Sequence, residues 1–354
     1  MSSDAPGLLG AACPVPITET DQVLMGHGSG GKLSAQLVET LLLPAFRNPA
    51  LAALDDAAQV SVGGTTVAMT TDSFVVTPLF FPGGDIGELA VNGTVNDLAV
   101  SGARPLFLSL ALILEEGFAL AELRRVIESI QRAAAEAGVQ VVTGDTKVVN
   151  RGKGDKLFIN TTGIGQPIPG VSLSSANVRP GDQILVSGTI GDHGVAILST
   201  REGLSFSGGE LRSDTAPLAT LVEAMLAATP GIHAMRDPTR GGVAATVVEI
   251  AARQRLGIEI DEAALPINDA VRGACEMLGL DPLLVANEGK LVAFVPRAEC
   301  DRALAAMRAH PLGRHAARIG EVVAEHPGRV VMQTLIGGRR FVDLPFAEPL
   351  PRIC

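Results

Sequence analysis

Residues 69–102, MTTDSFVVTPLFFPGGDIGELAVNGTVNDLAVSG, constrain this chain more than any other stretch. A strand-like run halts on Asp72, and Pro82, Gly83 and Gly84 make a turn. A helix is predicted from about Asp85, with apolar residues at helical spacing until Ser101 and Gly102 stop it. Asn96 and Asp97 fall late in that helix. An acid at a strand end and another on a nearby helix can share a hard cation through oxygen ligands, and a phosphate chain can dock on that cation. Taken alone, Asp72 reads equally well as a turn former and Asp97 as a solvated helix residue. The rest of the chain has to decide.

A chain of 354 residues suggests two domains with ample core. The net charge of -10 and the absence of a dense Lys/Arg cluster argue against nucleic acid as the main partner. Trp and Tyr are missing, so platforms for stacking bases are few. Mean hydropathy is high at +0.32, but it comes from dispersed Ala, Val and Leu. The best apolar run, Pro105 to Leu114, is far short of the roughly 20 residues a membrane helix needs. The Leu9–Cys13 stretch faintly resembles a lipoprotein cleavage site, yet it lacks a basic n-region and an adequate apolar segment, so no signal is expected. Cys13, Cys275, Cys300 and Cys354 are widely spread without a C-x-x-C pair, which speaks against a zinc ribbon or a disulfide framework and fits a reducing cytoplasm.

Residues 1–24 show no clear periodicity and are expected to be a mobile extension. Residues 25–50 hold Gly26-His27-Gly28-Ser29-Gly30-Gly31-Lys32 and a short helix-like run. The spacing of Gly26, Gly31 and Lys32 is that of a P-loop, but Leu33 stands where Ser or Thr should hold magnesium. A G-x-G-x-x-G pattern is present too, without the strand that should precede it. What survives is a glycine loop offering N–H groups before a helix, with a lysine beside it, which suits a phosphate. Over residues 51–166 the predicted order is β-β-α-β-α-β-β, an α+β domain with helices on one face of a mixed sheet. Its pieces include strands at 59–62, 66–71, 105–114, 139–143 and 156–163, and an amphipathic helix at 121–137.

Residues 167–344 read as a second α/β domain. Strands are predicted at 183–187, 283–285, 290–295, 329–335 and 339–343, and helices at 216–228, 243–255 and 299–309. A glycine-rich turn with Asp192 and His193 leads into a further helix, and the loop RDPTRGG (236–242) starts another. The tail, 345–354, holds three prolines, should be extended, and ends in Cys354.

Asp55, Asp56, Asp72, Asp145 and Asp237 each end a predicted strand or border a turn, while Asp97 lies near a helix end. With glycine and lysine loops between them, they read together as a multi-magnesium nucleotide site, where phosphoryl transfer is promoted by neutralising charge and fixing geometry. LDDAA, TTDSFVVTP, AVNGTVNDLAVSGA, VTGDTKVV, GDHG, DPTRGGVA and NEGK resemble the ATP-binding superfamily of aminoimidazole ribonucleotide synthetase, selenophosphate synthetase and thiamin-monophosphate kinase. Within it, GHGSGGK and the ending Pro351-Arg352-Ile353-Cys354 resemble the HypE carbamoyl dehydratases of [NiFe]-hydrogenase maturation. The resemblance spans about residues 24–354.

The resemblance implies two α/β domains and a homodimer whose N-terminal sheets pair. It implies ATP in a cleft, with Mg2+ bridging its phosphates to Asp56, Asp72, Asp97 and Asp145, Asp237 being a further ligand candidate. Asn92, Asn96, Thr143, Gly144, His193 and Arg240 would join Ser29, Gly30, Gly31 and Lys32 around the nucleotide, with the glycine loop folding over the phosphates; His27 is a further phosphate contact to weigh. A carbamoyl group would reach Cys354 from a HypF-type carbamoyltransferase, lose water at the expense of ATP, and pass as cyanide to iron on a HypC–HypD scaffold. Lys147 and Glu288 would stand beside the amide nitrogen, and a buried Glu288 would have the raised pKa that a base near neutral pH needs. The rival implication is a small-molecule kinase or synthetase of the same superfamily, although selenophosphate synthetase would usually carry Cys or selenocysteine where this chain has His27 and Ser29.

Overall fold

The computed structural model describes residues 22–203, 211–345 and 352–354. Most of the expected N-terminal extension, Cys13 included, and the middle of the tail therefore lie outside the described residues. A 3-10 turn, Met25–Gly28, leads through the glycine loop into α1 (Lys32–Leu37), a wider turn at Val38–Leu42, α2 (Leu43–Phe46) and α3 (Pro49–Ala52). Then come β1 (Ala58–Val62), β2 (Thr65–Phe74), a two-residue hairpin of β3 (Phe80–Phe81) and β4 (Gly84–Asp85), and α4 (Ile86–Val100). β5 (Ala103–Glu115), α5 (Leu120–Ala137), β6 (Gln140–Val149) and β7 (Leu157–Pro167) complete the first domain. Its sheet runs β1-β2-β7-β5-β6, antiparallel except for the β5–β6 pair, which α5 joins as a crossover.

α4 organises the molecule. Asp85 caps it by accepting the N–H groups of Gly87 and Glu88. Almost every residue of α4 is buried, because β2, β5, β7 and α5 pack on one side and second-domain elements on the other. That explains an apolar helix with no polar stripe. Ile86, Leu89 and Leu98 are fully buried, each worth ~1.5–3 kcal/mol over exposure. α5 is amphipathic by contrast and ends on Gly138 in the left-handed conformation, as its sequence predicts.

The second domain continues with β8 (Gln183–Val186), α6 (Asp192–Glu202), α7 (Ala219–Ala228), β9 (Ala234–Arg236), α8 (Gly242–Gln254) and β10 (Gly257–Asp261). α9 (Asp269–Leu278), β11 (Val292–Val295), α10 (Cys300–Ala309), β12 (Ala317–Val323), β13 (Val330–Gln333) and β14 (Arg339–Val342) follow. The seven-stranded sheet is ordered β14-β13-β10-β12-β8-β11-β9, with only β10 and β13 parallel. No described helix is long and apolar enough to cross a membrane.

Several local expectations are corrected. β2 does not stop at Asp72 but runs on to Phe74, since β7 pairs it throughout that stretch. β6 likewise continues through Gly144, Asp145 and Lys147 instead of turning there. Residues 283–285 form no strand: Pro282 opens a 3-10 turn and Asp281 accepts the Leu283 N–H. β9, β10 and β12 are short strands that lack a readable alternation because the folded sheet covers much of both their faces.

Candidate active site

The acids of the first domain meet a second-domain loop, the one after β9, beside α4. Carboxylate oxygens of Asp56, Asp97 and Asp237 all lie within 4.8 Å of one another. Asp97 sits on α4, Asp56 just before β1 and Asp237 just after β9, so two domains supply one cluster. Thr70 donates its hydroxyl to Asp97 at 2.6 Å, and Arg236 pairs with Asp56 at 2.6 Å. Asp72 adjoins Asp97 and takes a weak bond from Thr94 at 3.4 Å. Burial, then crowding by neighbouring acids, pushes the Asp97 carboxyl well above the usual range; burial pushes Asp56 the same way against the pull of Arg236. Asp237 is pushed up to about 7, by burial first and Asp72 next. One Asp56 oxygen is buried without a hydrogen-bond partner. A cluster of hard oxygens, too crowded to ionise together and with an orphaned atom, fits a divalent cation such as Mg2+.

The glycine loop reaches the same place by backbone contact. Gly30 has φ +79°, and a Cβ there would meet Arg240 at 2.9–3.0 Å; a Cβ on Gly241, φ +76°, would meet the Gly30 carbonyl at 3.2 Å. Both positions therefore require glycine, which seats the loop on RDPTRGG. Arg240 and Ser29 line an adjoining cavity of about 490 Å³ with Leu24, Met25, Val75 and Phe158. Arg240 also lines the acid cleft, alongside Asp72, Asp97, Asp237, Thr239, Glu288 and Cys354.

Glu288 is buried, and one of its carboxylate oxygens has no hydrogen-bond partner. Desolvation first, and the nearby Asp237 and Asp214 next, hold its pKa well above the usual carboxylate range. Its ion pair with Lys290, the bland alternative, does not form: Lys290 pairs with Asp214 at 3.1 Å.

Cys354 reaches this cleft because the last three residues add a short strand to the domain. Ile353 bridges Val76 in antiparallel fashion, the Val75 N–H donates to the Cys354 carbonyl at 2.9 Å, and the Thr77 N–H donates to Arg352 at 3.2 Å. The Ile353 side chain is buried in a core cluster to which both domains contribute. Arg352 pairs with Asp155 at 2.5 Å, and Arg201 donates to the carbonyls of both Thr77 and Arg352.

Other expected site residues stand elsewhere. Thr143, Gly144, Asp145 and Lys147 are all exposed on β6, the sheet's edge. Lys147 is register-paired with Ile113, whose side chain points away from α4, whereas Asp72 points toward α4. Asp145, two residues from Lys147, shares its face and pairs with it at 2.6 Å. Within one protomer neither reaches the acid cleft. The Asn96 amide donates to the Ala216 and Glu288 carbonyls and accepts the Leu218 N–H, bracing α4 against the second domain. Asn92 donates to Thr215 at 3.1 Å. His193 is wholly buried and contacts Ile353 and Ser213. Lys32 pairs at 2.7 Å with Asp343, and His27 caps its own turn through the Leu24 N–H.

Sequence reasoning missed Thr70, Arg236, Ser213, Asp155 and Arg201. Arg236 alone carried a signal, since an arginine directly before a candidate metal acid is placed to neutralise it. The others act across 14 to 197 positions of sequence, a separation that no local motif records.

Two family models, the N-terminal and C-terminal domains of AIR synthase related protein, match residues 54–166 and 179–333. The carbamoyl dehydratase HypE of Cupriavidus necator is 54% identical over 347 residues, covering 98% of each chain. A solved HypE–HypF complex aligns with TM-score 0.83 at 48% identity, covering 87% of this chain and 99% of that one. HypE solved in complex with ATP aligns with TM-score 0.79 at 50% identity, covering 94% and 100%. On this near-complete likeness in sequence and fold, the chain belongs to the AIR synthase related family and, within it, to the HypE carbamoyl dehydratases.

Proposed function

We propose that the protein dehydrates a carbamoyl group carried on its own Cys354, using ATP. The observation that carries this reading is the presence of Cys354 in the same cleft as Asp72, Asp97, Asp237, Arg240 and Glu288. A thiol carrier and a phosphate-transfer site are thereby one site. The relatives' name and their ATP and HypF complexes support the same chemistry.

An amide oxygen is a poor leaving group until it is phosphorylated. Transfer of the ATP γ-phosphoryl to the carbamoyl oxygen gives S–C(=NH)–O–phosphate and ADP, with one nitrogen proton released. Loss of the second nitrogen proton, with departure of phosphate, leaves S–C≡N. Glu288 is the base in this reading, its desolvated carboxylate taking a nitrogen proton. Asp56, Asp97 and Asp237 would hold Mg2+, with Asp72 beside them; the cation supplies charge neutralisation at the phosphates. Arg240 adds a fixed positive charge, and Gly28 and Ser29 of the glycine loop bound the adjoining cavity.

We also propose that the protein works as a homodimer. The sheet face opposite α4 exposes Met69, Phe107, Ile113 and Ile164, and β6 is an uncovered edge among the described strands. Such a face wants a partner. Pairing of two sheets would give Lys147 and Asp145 a role on the neighbouring protomer's cleft, the placement that reconciles their family match with their position here. A HypF-type carbamoyltransferase would load the thiol, a HypC–HypD scaffold would take the cyanide, and a reducing cytoplasm would keep Cys354 reactive.

Intact-mass analysis tests the reading. With a HypF-type partner, carbamoyl phosphate and ATP, Cys354 should gain a carbamoyl group that loses one water only when Mg2+ and ATP are present. C354A should show no adduct. An adduct that never dehydrates under any nucleotide condition would sink the reading.

A further inference from the structure

His193 lies outside the acid cleft, yet it is wholly buried and has both ring nitrogens engaged. Nε2 stands 2.6 Å from the Ile353 carbonyl, and Nδ1 stands 2.8 Å from Ser213 Oγ. A carbonyl can only accept, so Nε2 must carry the proton. The neutral ring then needs a donor at Nδ1, and Ser213 is free to be one: its oxygen accepts the Thr215 N–H at 3.2 Å, leaving the hydroxyl proton for the imidazole. Burial, the largest influence on this imidazole, disfavours its charged form and so agrees with a neutral ring. The Phe81 ring meets the imidazole edge-on, 5.6 Å between centroids, fixing its plane.

We propose that His193 is a positioning residue for the thiol carrier: directed by Ser213, its Nε2–H binds the Ile353 carbonyl and sets the register in which Cys354 enters the acid cleft. The contact is specific to the docked tail, because the carbonyl it binds belongs to the residue next to Cys354. Ser213 also ties the clamp to the rest of the site. Its N–H donates to Pro82, and Thr215, which donates to it, receives the Asn92 amide of α4. The family resemblance assigns His193 to the nucleotide; the geometry assigns it to the tail. The link to turnover rests on the dehydratase reading above, but the docking itself does not.

The test measures alkylation of Cys354 by iodoacetamide in the full-length protein, resolved by peptide mass, alongside dehydration of the preloaded carbamoyl adduct. His193→Leu, close in size but unable to donate, should alkylate about tenfold faster, the equivalent of about 1.4 kcal/mol. It should slow dehydration by a similar factor while the KM for ATP moves less than about twofold. His193→Gln, whose amide can donate to the same carbonyl, should stay within about twofold of wild type. Ser213→Ala, which keeps the imidazole but removes its director, should fall between them and keeps the test open should His193→Leu fold poorly. Equal alkylation rates in wild type, His193→Leu and Ser213→Ala would overturn the clamp, as would Leu and Gln variants that are equally fast. Absence of dehydration in wild type with intact alkylation differences would count against the dehydratase reading and leave the clamp standing.

Discussion

Glu288 shows how much of this site's chemistry comes from burial. The residue type is ordinary, but burial first and the neighbouring Asp237 and Asp214 next hold its pKa well above the usual carboxylate range, the direction a general base requires. Glu288→Gln should still accept the carbamoyl group and slow its dehydration by about 100-fold or more. Wild-type dehydration should rise with pH as Glu288 loses its proton and then level off; single-turnover rates measured against pH should lose that rising limb in Glu288→Gln. Three residues marked from sequence, Asp72, Asp97 and Glu288, line one cleft in the fold. They could be singled out because the acids recur in recognisable settings. His193 was marked only as a nucleotide contact, since its tail partner Ile353 lies 160 positions away.

At the scale of elements, β6 decides what one protomer can do alone. A strand alternates its faces, so one register places Asp145 and Lys147 on the side away from Asp72. Sequence marked these residues as functional but carried no information about the face, which depends on pairing with β5 across an entire intervening helix. If the sheets pair, Lys147 acts in trans. Mixed dimers of K147A and C354A protomers should then recover dehydration that each homodimer lacks. No recovery, with heterodimers shown to form, would contradict the placement of Lys147 in trans. α4 was legible because its cap, its length and its stop are local signals. β9, β10 and β12 were not, because a strand of 3 to 7 residues with largely covered faces has no period to read.

Across the whole molecule, the buried acids gathered at the domain junction carry an electrostatic cost that a bound cation would relieve. A carboxyl whose folded pKa lies above its unfolded value binds its proton more tightly when folded, so stability falls as pH rises between the two values. For Asp237 that window runs from 3.8 to about 7. Without Mg2+, the melting temperature should therefore decline across this range, and the stabilisation added by Mg2+ should be larger at about pH 8 than at about pH 5. D97N should lose most of the Mg2+-induced shift, as differential scanning fluorimetry can show. A cation effect independent of pH and of Asp97 would remove the metal from this cluster.

In the proposed reaction, Cys354 carries its carbamoyl group to a phosphoryl donor held at this cleft. That step is tested most directly by loading Cys354 with a carbamoyl group labelled with heavy oxygen and following the label through one turnover. The label should leave in inorganic phosphate, with unlabelled thiocyanate remaining on the protein. Label recovered in water, or retained on Cys354 while ATP is consumed, would contradict the proposed reaction.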